Sequence, residues 1–286
     1  MKDVVTLEAA AKVNLLLRIL SRESDGYHGL ETLFCRLTLC DALTARRTEE
    51  PGVRLTVHGS SPGPAAENLA VRAAELALAG LRKPLGVHLE LTKRIPIGAG
   101  LGGGSADAAA TLAAVNELAG NAIPRAELLH LAAQLGADVP FCLSGAALAL
   151  GWGHGERLLG LPALPVAPVL LVTPADSVRT ADAYQWFDQA RTGSYRRGTL
   201  LLDLSSISSW SDVARMAGND FESVIFGKLP AVRSAFEALA RTGPLLCRMS
   251  GSGSTLFAIY RNARERDDAA MALGKRHGTL TATSTA

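Results

Sequence analysis

The sequence predicts an α+β protein built from two domains. Apolar and polar residues alternate at residues 5–9 and 87–95, as they do in half-buried strands. A glycine-rich stretch then passes directly into an alanine-rich helix, and a Pro-rich segment at residues 162–168 separates this half from another apolar strand. A chain of 286 residues is long enough for one large or two medium domains. We therefore expect domains at residues 1–162 and 163–286.

Composition favours a small-molecule partner. Charged residues make up 20% of the chain and the formal net charge is +2, so neither nucleic acid nor an acidic membrane is expected as a partner. The four cysteines are far apart and lack metal-binding spacing, as is typical of reduced thiols in cytosolic proteins. The first residues alternate like a strand instead of forming a secretion signal, and no apolar run reaches about 18 residues. We expect a cytoplasmic monomer or weak homodimer.

The first long apolar strand, at residues 9–20, carries polar side chains on one face. Lys12 and Asn14 share that face, opposite a row of Val, Leu and Ile side chains. The face either borders a polar cavity or is simply solvated, and Arg18 on the same side makes solvation equally acceptable. This segment alone does not decide between the two interpretations.

The turn after this strand carries an aromatic ring and an imidazole. Asp25 and Gly26 form a strong turn signal, and Tyr27 and His28 follow it before a second apolar run. Such a pair after a turn often has no special role. A hairpin tip could equally bring both rings to a ligand.

The stretch at residues 95–109, IPIGAGLGGGSADAA, has the features of an anion-binding loop. Five glycines lie within seven positions, where they are free to adopt positive φ and to turn successive N–H groups towards one point. The helix that begins near Ser105 adds four unpaired N–H groups and the positive end of its dipole. A bound phosphate group is therefore favoured over a glycine-rich turn without a ligand.

Two familiar phosphate loops do not fit this stretch. The Walker loop needs Gly-Lys before Ser or Thr, but Gly104 is followed directly by Ser105. Gly98, Gly100 and Gly103 do match G-x-G-x-x-G. A dinucleotide-binding unit, however, would present a buried apolar strand before the loop and a second strand after one helix. Here the preceding segment alternates like a half-solvated antiparallel strand, and two helices follow.

The helices after the glycine stretch end next to an aspartate. Residues 105–118 predict an alanine-rich helix, and a second helix begins with Pro124 in its first turn and ends at Gly136. Asp138 follows that end, where an aspartate is most often a turn residue. Residues 141–151 then predict a strand.

The second half of the chain contains another loop rich in hydrogen-bond donors. Residues 169–173 predict a strand and residues 229–240 an amphipathic helix. The segment MSGSGSTLFAIY, which begins at Met249, combines a glycine-serine loop with a strand. The loop is either a simple hairpin turn or a cluster of N–H and hydroxyl donors.

Several short segments together resemble a known family. PIGAGLGGGSA, at residues 96–106, is similar to the nucleotide loop of the GHMP kinase superfamily. Other segments resemble the branch of that superfamily that phosphorylates 4-diphosphocytidyl-2-C-methyl-D-erythritol (CDP-ME) in the non-mevalonate isoprenoid pathway. They are AKVNLLL at Ala11, DGYHGLETLF at Asp25, GADVPF at Gly136, NDFE at Asn219 and SGSGST at Ser250. DGYH together with AKVN separates this branch from the homoserine, mevalonate and galactose kinases.

The resemblance implies a fold and a nucleotide. The fold is the α+β, two-domain GHMP kinase fold. Its N-terminal nucleotide-binding domain resembles ribosomal protein S5 domain 2, its C-terminal domain is an α/β sandwich, and the active site lies in the cleft between them. The resemblance also implies ATP with Mg²⁺, and a Ser105 hydroxyl near a phosphate or the metal. The residues implied to bind ATP are Pro96, Gly98, Gly100, Leu101, Gly102, Gly103, Gly104, Ser105, Ala106 and Asn68.

Catalytic and acceptor-binding roles are implied in the same way. Asp138 becomes the candidate general base for the 2-hydroxyl of CDP-ME. Lys12 would keep that carboxylate ionised and neutralise charge on the transferred phosphoryl group. The acceptor contacts implied are Asn14 at the erythritol, Tyr27, His28 and Tyr184 around the cytosine, and Ser250, Gly251 and Gly253 near the pyrophosphate.

Two alternative functions remain open from the sequence. One is another GHMP small-molecule kinase, of the homoserine or mevalonate type. The other is a nucleotide-binding module that has lost catalysis, and the presence of both Lys12 and Asp138 disfavours it.

Overall fold

Two β-sheets and the helices around them make up the computed structural model, which describes residues 2–22, 26, 28–60, 63–64, 67–81, 85–190 and 207–286. Within these residues the larger sheet has seven strands and the smaller sheet has four. The strands of the larger sheet are β1 (Val4–Arg22), β2 (His28–Thr48), β3 (Gly52–His58), β4 (Gly86–Thr92), β5 (Leu148–Gly153), β6 (Arg157–Leu161) and β8 (Gly218–Asn219). Those of the smaller sheet are β7 (Pro168–Thr173), β9 (Leu246–Met249), β10 (Leu256–Ile259) and β11 (Thr279–Ser284).

The two longest strands, β1 and β2, form the centre of the larger sheet. They pair antiparallel from Val4 opposite Arg46 to Arg22 opposite His28, with three register shifts on the way. β2 also pairs antiparallel with β4 and β5, and β6 extends the sheet beyond β5. β4 was predicted to be antiparallel, and it is so towards β2, but it lies parallel to β3. Because β1 and β2 are so long, they extend from the connection between them to the helices that cover the sheet.

Four helices cover one face of the larger sheet. They are α1 (Leu69–Ala79), α2 (Gly103–Leu118), α3 (Arg125–Leu135) and α4 (Val139–Ser144). α2 is buried on nearly every side, and its alanines let the neighbouring helices α1 and α4 pack closely against it. Side chains of β4, which include Val87, Leu89 and Leu91, complete this core. The predicted helices after the glycine stretch therefore lie between solvent and the larger sheet.

The smaller sheet is antiparallel throughout, in the order β11-β7-β10-β9. Both of its faces are buried. On β7, Val169 and Leu171 pack towards the larger sheet, whereas Leu170 and Val172 pack towards helices of the second half. Those helices are α5 (Thr180–Ala190), α7 (Glu222–Lys228), α8 (Pro230–Ala240) and α9 (Ala263–Leu273), whereas α6 (Trp210–Met216) packs on the side of Val169 and Leu171. The α+β class predicted from the sequence is confirmed.

Strand β1 belongs to the larger sheet and also contacts the second half of the chain. The short strand β8 pairs with it in parallel, with Leu16 opposite Gly218. The Asp220 carboxylate accepts a hydrogen bond from the Ile19 N–H at 2.8 Å. The domain boundary after residue 162 falls between β6 and β7, and it stays a prediction.

The strand predicted at residues 141–151 is wrong in its first half. α4 occupies that part, with Pro140 in its first turn, and Gly145 ends the helix with a φ of 81°. Only the second half of the segment is strand, as β5. A short apolar run does not distinguish a buried helical turn from a buried strand.

Among the described residues, every helix is too short or too polar to span a membrane.

Candidate active site

The glycine stretch forms a loop that leads into the N-terminus of α2. Gly98, Gly100 and Gly102 have φ values of 65°, 77° and 69°, which glycine adopts without strain. α2 begins at Gly103, and its N-cap residue Gly102 has no side chain to bond the N–H groups of the first turn. Loop and helix therefore present backbone donors and a positive dipole end to an anion.

A second loop, residues 250–254, contacts the glycine stretch from the smaller sheet. The Ser250 hydroxyl donates a hydrogen bond to the Gly100 carbonyl at 2.9 Å. The two backbones touch so closely that a Cβ on Gly100 would lie 2.2 Å from the Ser250 carbonyl oxygen. The Asn219 side-chain amide donates to the Gly251 carbonyl at 2.8 Å and so fixes the second loop from below. The position of each loop therefore depends on the other.

Lys12 and Asp138 form an ion pair beside the glycine stretch. Lys12 Nζ lies 3.0 Å from Asp138 Oδ2, with the lysine side chain 4% exposed and the carboxylate 30% exposed. The Lys12 backbone N–H donates to the Leu101 carbonyl at 2.9 Å. Its methylene stem passes so close to Gly102 that a Cβ there would lie 2.9 Å from it. Lys12 thus connects the glycine stretch directly to an accessible carboxylate.

Asn14 holds the Lys12 ammonium from the side of the sheet. Its Oδ1 accepts from Lys12 Nζ at 2.8 Å, and its Nδ2 donates to the Thr32 hydroxyl at 2.8 Å. That hydroxyl donates in turn to the Leu16 carbonyl at 2.8 Å. Lys12 and Asn14 are each only 3% exposed, so the interpretation of a solvated strand face is wrong and the face borders a polar cavity.

His28 and Tyr184 stack against each other in the same cavity. Their ring centroids are 5.0 Å apart and their planes differ by 16°. The Nε2 atom of His28 lies 2.8 Å from Asp188 Oδ1. Burial and, second, the negative charge of Asp138 raise the pKa of Tyr184 to about 12, so the Tyr184 hydroxyl stays protonated at neutral pH. Tyr27, predicted to face the same base, lies outside the described residues.

A buried ion triad lies directly under the glycine stretch. Lys93 Nζ contacts Asp107 Oδ2 at 2.5 Å and also the Asp41 carboxylate, and all three side chains are at most 5% exposed. Asp41 additionally accepts the Ile95 N–H at 2.8 Å. Burial raises the pKa of Asp107 to about 7, although the charge of Lys93 opposes the shift. A Cβ on Gly103 would lie 3.5 Å from Lys93 Nζ, so the triad supports the start of α2.

A cavity of about 950 Å³ brings most of the predicted site residues together. Those that line it are Lys12, Asn14, His28, Asn68, Pro96, Gly98, Gly100, Leu101, Gly102, Gly103, Gly104, Ser105, Asp138, Tyr184, Gly251 and Gly253. Ala106 and Ser250 lie behind this lining, at 2% and 0% exposure. Asn68 also caps α1, since its Oδ1 accepts the Ala70 N–H at 2.9 Å. A cavity of this size has room for a nucleotide and a second small molecule.

Further lining residues were missed by the sequence analysis. They include Thr32, Phe34, Lys93, Asp107, His154 and Glu156. Lys93 and Asp107 flank the glycine stretch, so charged residues at its two ends were an available signal. Phe34 enters the site because β2 places it opposite Asn14, and only the strand register shows this.

The donor set of the cavity fits a magnesium ion held mainly by phosphate oxygens. In the part of the chain that the structure describes, no group of three or more His, Cys, Asp or Glu side chains could hold a metal ion. Ser105 and Asp138 do offer oxygen atoms to the cavity. Mg²⁺ commonly binds through one or two protein oxygens, several waters and the phosphates of a substrate.

Comparison with known proteins decides the family. Residues 68–146 match the GHMP kinases N terminal domain and residues 201–279 match the GHMP kinases C terminal family. The 4-diphosphocytidyl-2-C-methyl-D-erythritol kinase of Solibacter usitatus (strain Ellin6076) is 40% identical over 259 residues, which cover 90% of this chain and 81% of that protein. The chain belongs to the 4-diphosphocytidyl-2-C-methyl-D-erythritol kinase family. As a member of this CDP-ME kinase family, it is an ATP-dependent kinase with a small-molecule substrate.

Solved structures agree with membership of the CDP-ME kinase family. A crystal structure of 4-(cytidine 5'-diphospho)-2C-methyl-D-erythritol kinase matches with a TM-score of 0.79 and 37% identity, and 98% of each chain is covered. Homoserine kinase from Cytophaga hutchinsonii matches with a TM-score of 0.74 but only 23% identity, over 100% of this chain and 95% of that one. The second match shows a shared fold alone. The predicted GHMP kinase fold is confirmed.

Proposed function

We propose that this chain transfers the γ-phosphoryl group of ATP to the 2-hydroxyl of CDP-ME, which gives ADP and the 2-phosphate. The Lys12–Asp138 ion pair carries the proposal, because it lies against the glycine stretch in the same cavity as His28 and Tyr184. Phosphoryl transfer to an alcohol needs a base, a cation and an anion cradle within reach of one another. The cavity offers all three, and we place the reaction of this chain in the non-mevalonate route to isoprenoid precursors.

Asp138 is the proposed general base. Its carboxylate is partly exposed to the cavity and lies 3.0 Å from the ammonium of Lys12, and an ionised carboxylate can accept a proton. In a loose phosphoryl-transfer transition state little proton transfer is needed early, so the position of the hydroxyl matters more than base strength.

Lys12 is proposed to neutralise charge that develops on the transferred group. Its ammonium is held by Asn14 and Asp138, and its stem is held against Gly102. A buried cation that is already in position interacts strongly with developing negative charge and needs no reorganisation during the reaction. Both the oxygen and the nitrogen of the Asn14 amide make hydrogen bonds within the protein. This supports a role in orienting Lys12, in addition to the proposed contact with the erythritol.

The glycine stretch and the first turn of α2 are the proposed triphosphate site. Bound Mg²⁺–ATP would supply the phosphoryl group, and the Ser105 hydroxyl would lie near a phosphate or the metal. Asn68 is proposed to border the adenine. Gly251 and Gly253 of the second loop would border the pyrophosphate of the acceptor, and Ser250, behind them, would hold this loop against Gly100.

The cytosine is proposed to lie beside His28 and Tyr184. The two rings already stack in the cavity, and aromatic stacking on a base is typically worth about 1 to 3 kcal/mol. Tyr27 is proposed, from the sequence alone, to contact the cytosine as well.

Formation of ADP in the presence of CDP-ME tests the proposal, and Asp138→Asn tests the base. This variant keeps the shape of the side chain, so kcat should fall by orders of magnitude while the Kd for ATP stays nearly unchanged. Asp267→Asn removes a carboxylate from an exposed ion pair on α9 and is the matched control. A near-normal kcat in Asp138→Asn would show that Asp138 is not the general base. ADP formation with homoserine or mevalonate in place of CDP-ME, or ATP binding without acceptor-dependent turnover, would refute the proposed function.

We also propose that the protein works in the cytoplasm as a monomer or weak homodimer. All four cysteines are free thiols, which a reducing compartment preserves. Burial raises the pKa of Cys142, which lies near the catalytic pair, to about 12, so this thiol is neutral and unreactive. Sedimentation velocity over a hundredfold range of protein concentration measures the oligomeric state, and a stable larger oligomer would contradict the proposal.

A further inference from the structure

Helix α5 directs two side chains, one turn apart, at His28. Tyr184 and Asp188 occupy positions i and i+4 and therefore share a face of the helix. Tyr184 stacks on the imidazole, and Asp188 Oδ1 lies 2.8 Å from its Nε2. The His28 side chain is 5% exposed and that of Asp188 is 35% exposed. Tyr184 thus fixes the plane of the imidazole ring, and Asp188 fixes how the ring is rotated within that plane.

The Asp188 carboxylate decides which nitrogen of His28 carries hydrogen. An ionised carboxylate only accepts hydrogen bonds, so Nε2 must bear the hydrogen. In the neutral ring Nδ1 is then an acceptor. Among the described residues the structure records no hydrogen bond at Nδ1, and His28 lines the cavity. Nδ1 is therefore the nitrogen that His28 offers to a ligand.

The two pyrimidine bases differ at the atom that such an acceptor would meet. Cytosine has an amino group at C4, which donates, whereas the carbonyl oxygen at C4 of uracil accepts. An Nδ1 acceptor pairs with the first and repels the second. We propose that Asp188 is a positioning residue that holds His28 as an Nδ1 acceptor and thereby makes the site prefer cytosine over uracil. The proposal rests on the proposed function in one respect, that the base of the acceptor lies beside His28.

The contact between Asp188 and His28 is not needed to hold α5 in place. Ala183 of this helix is fully buried, and both Tyr184 and Phe187 pack edge-on against Phe221. A hydrogen bond to a partly exposed carboxylate adds little to such packing. The apolar contacts hold the helix, whereas the direction of the imidazole depends on Asp188.

Base preference is measured by calorimetry on the full-length protein, with CDP and UDP as probes and the ATP site saturated by a non-hydrolysable analogue. Asp188→Asn replaces the carboxylate by an amide, which can accept from Nε2 or donate to it, so both tautomers become available. The ratio of affinities for CDP over UDP should fall about 10- to 100-fold. Asp182→Asn, in the first turn of the same helix, is the control and should keep the wild-type ratio. Asp188→Glu retains a carboxylate and should keep a preference for CDP.

The tautomer of His28 is read from ¹⁵N chemical shifts of protein labelled at its six histidines, with His28→Gln to assign the signal. At pH 8 the free wild-type protein should show hydrogen on Nε2 and none on Nδ1, and Asp188→Asn should show a mixture. A merely structural role for Asp188 would not change the tautomer. Hydrogen on Nδ1 in the wild type, no preference for CDP, or an unchanged ratio in Asp188→Asn would each overturn the inference. Preference for CDP without turnover of CDP-ME would refute the proposed function and support the inference.

Discussion

Replacement of Gly100 by alanine tests the contact between the glycine stretch and the second loop. Gly100 has a φ of +77°, and a Cβ there would lie 2.2 Å from the Ser250 carbonyl oxygen and 3.2 Å from that of Gly253. Both oxygens belong to the backbone, so no side-chain rotation can relieve the overlap. One loop would have to move by about 1 Å to restore an ordinary carbon–oxygen contact.

Two effects contribute to the expected loss of stability. Left-handed backbone costs a residue with a Cβ about 1 to 2 kcal/mol, and overpacking of a close contact adds about 1 to 3 kcal/mol. Gly98→Ala is the matched control, because Gly98 has a φ of +65° and no atom within 4 Å of the added Cβ. Gly100→Ala should therefore destabilise the protein by about 2 to 5 kcal/mol and Gly98→Ala by only about 1 to 2 kcal/mol.

Urea unfolding without nucleotide, followed by tryptophan fluorescence, measures the free energy of unfolding of both variants. Omission of nucleotide keeps any effect on phosphate binding out of the comparison. Displacement of the second loop should also raise the KM for ATP and for the acceptor in Gly100→Ala. Equal losses of unfolding free energy in the two variants would refute the backbone contact at Gly100.

Two further predictions concern the supports of the site. The pKa of Asp107 is raised from 3.8 to about 7, so the stability that its proton provides is complete below about pH 4 and is lost as the pH rises through about 7. Asp107→Asn should remove this decline from the pH profile of unfolding free energy, and an unchanged profile would contradict the buried triad. Asn219→Ala should lower stability by about 1 to 3 kcal/mol, because two carbonyls that now accept from its amide, at Met249 and Gly251, lose their donor. An unaltered thermal midpoint would show that the amide does not hold the second loop.

The glycine stretch and its helix could be predicted because their determinants are local. Positive φ at Gly98 and Gly100 and the unpaired N–H groups of a helix start follow from residues a few positions apart. The ends of α3, after Pro124 and before Gly136, follow from the same kind of local rule. Resemblance of motifs spread along the chain then specified the kinase family, and the comparisons confirmed it.

Burial and register were harder to predict. Alternation along β1 left open whether Lys12 and Asn14 face solvent, because a polar residue on a strand has the same pattern in both cases. Only the layers that cover both faces of the strand bury them. The segment after Asp138 was assigned to a strand for a related reason, since its apolar residues are buried in helix α4 and strand β5 alike.

The sequence by itself was enough to identify the family, and it predicted where an anion site begins and which residues carry the chemistry. The tertiary structure alone decided which of them meet. Lys12 reaches Asp138 because β1 passes under the glycine stretch and α4 starts beside it. Asp188 reaches His28 because α5 packs against the start of β2. Such contacts depend on how sheets and helices pack against each other, and the local periodicity of a sequence does not encode that packing.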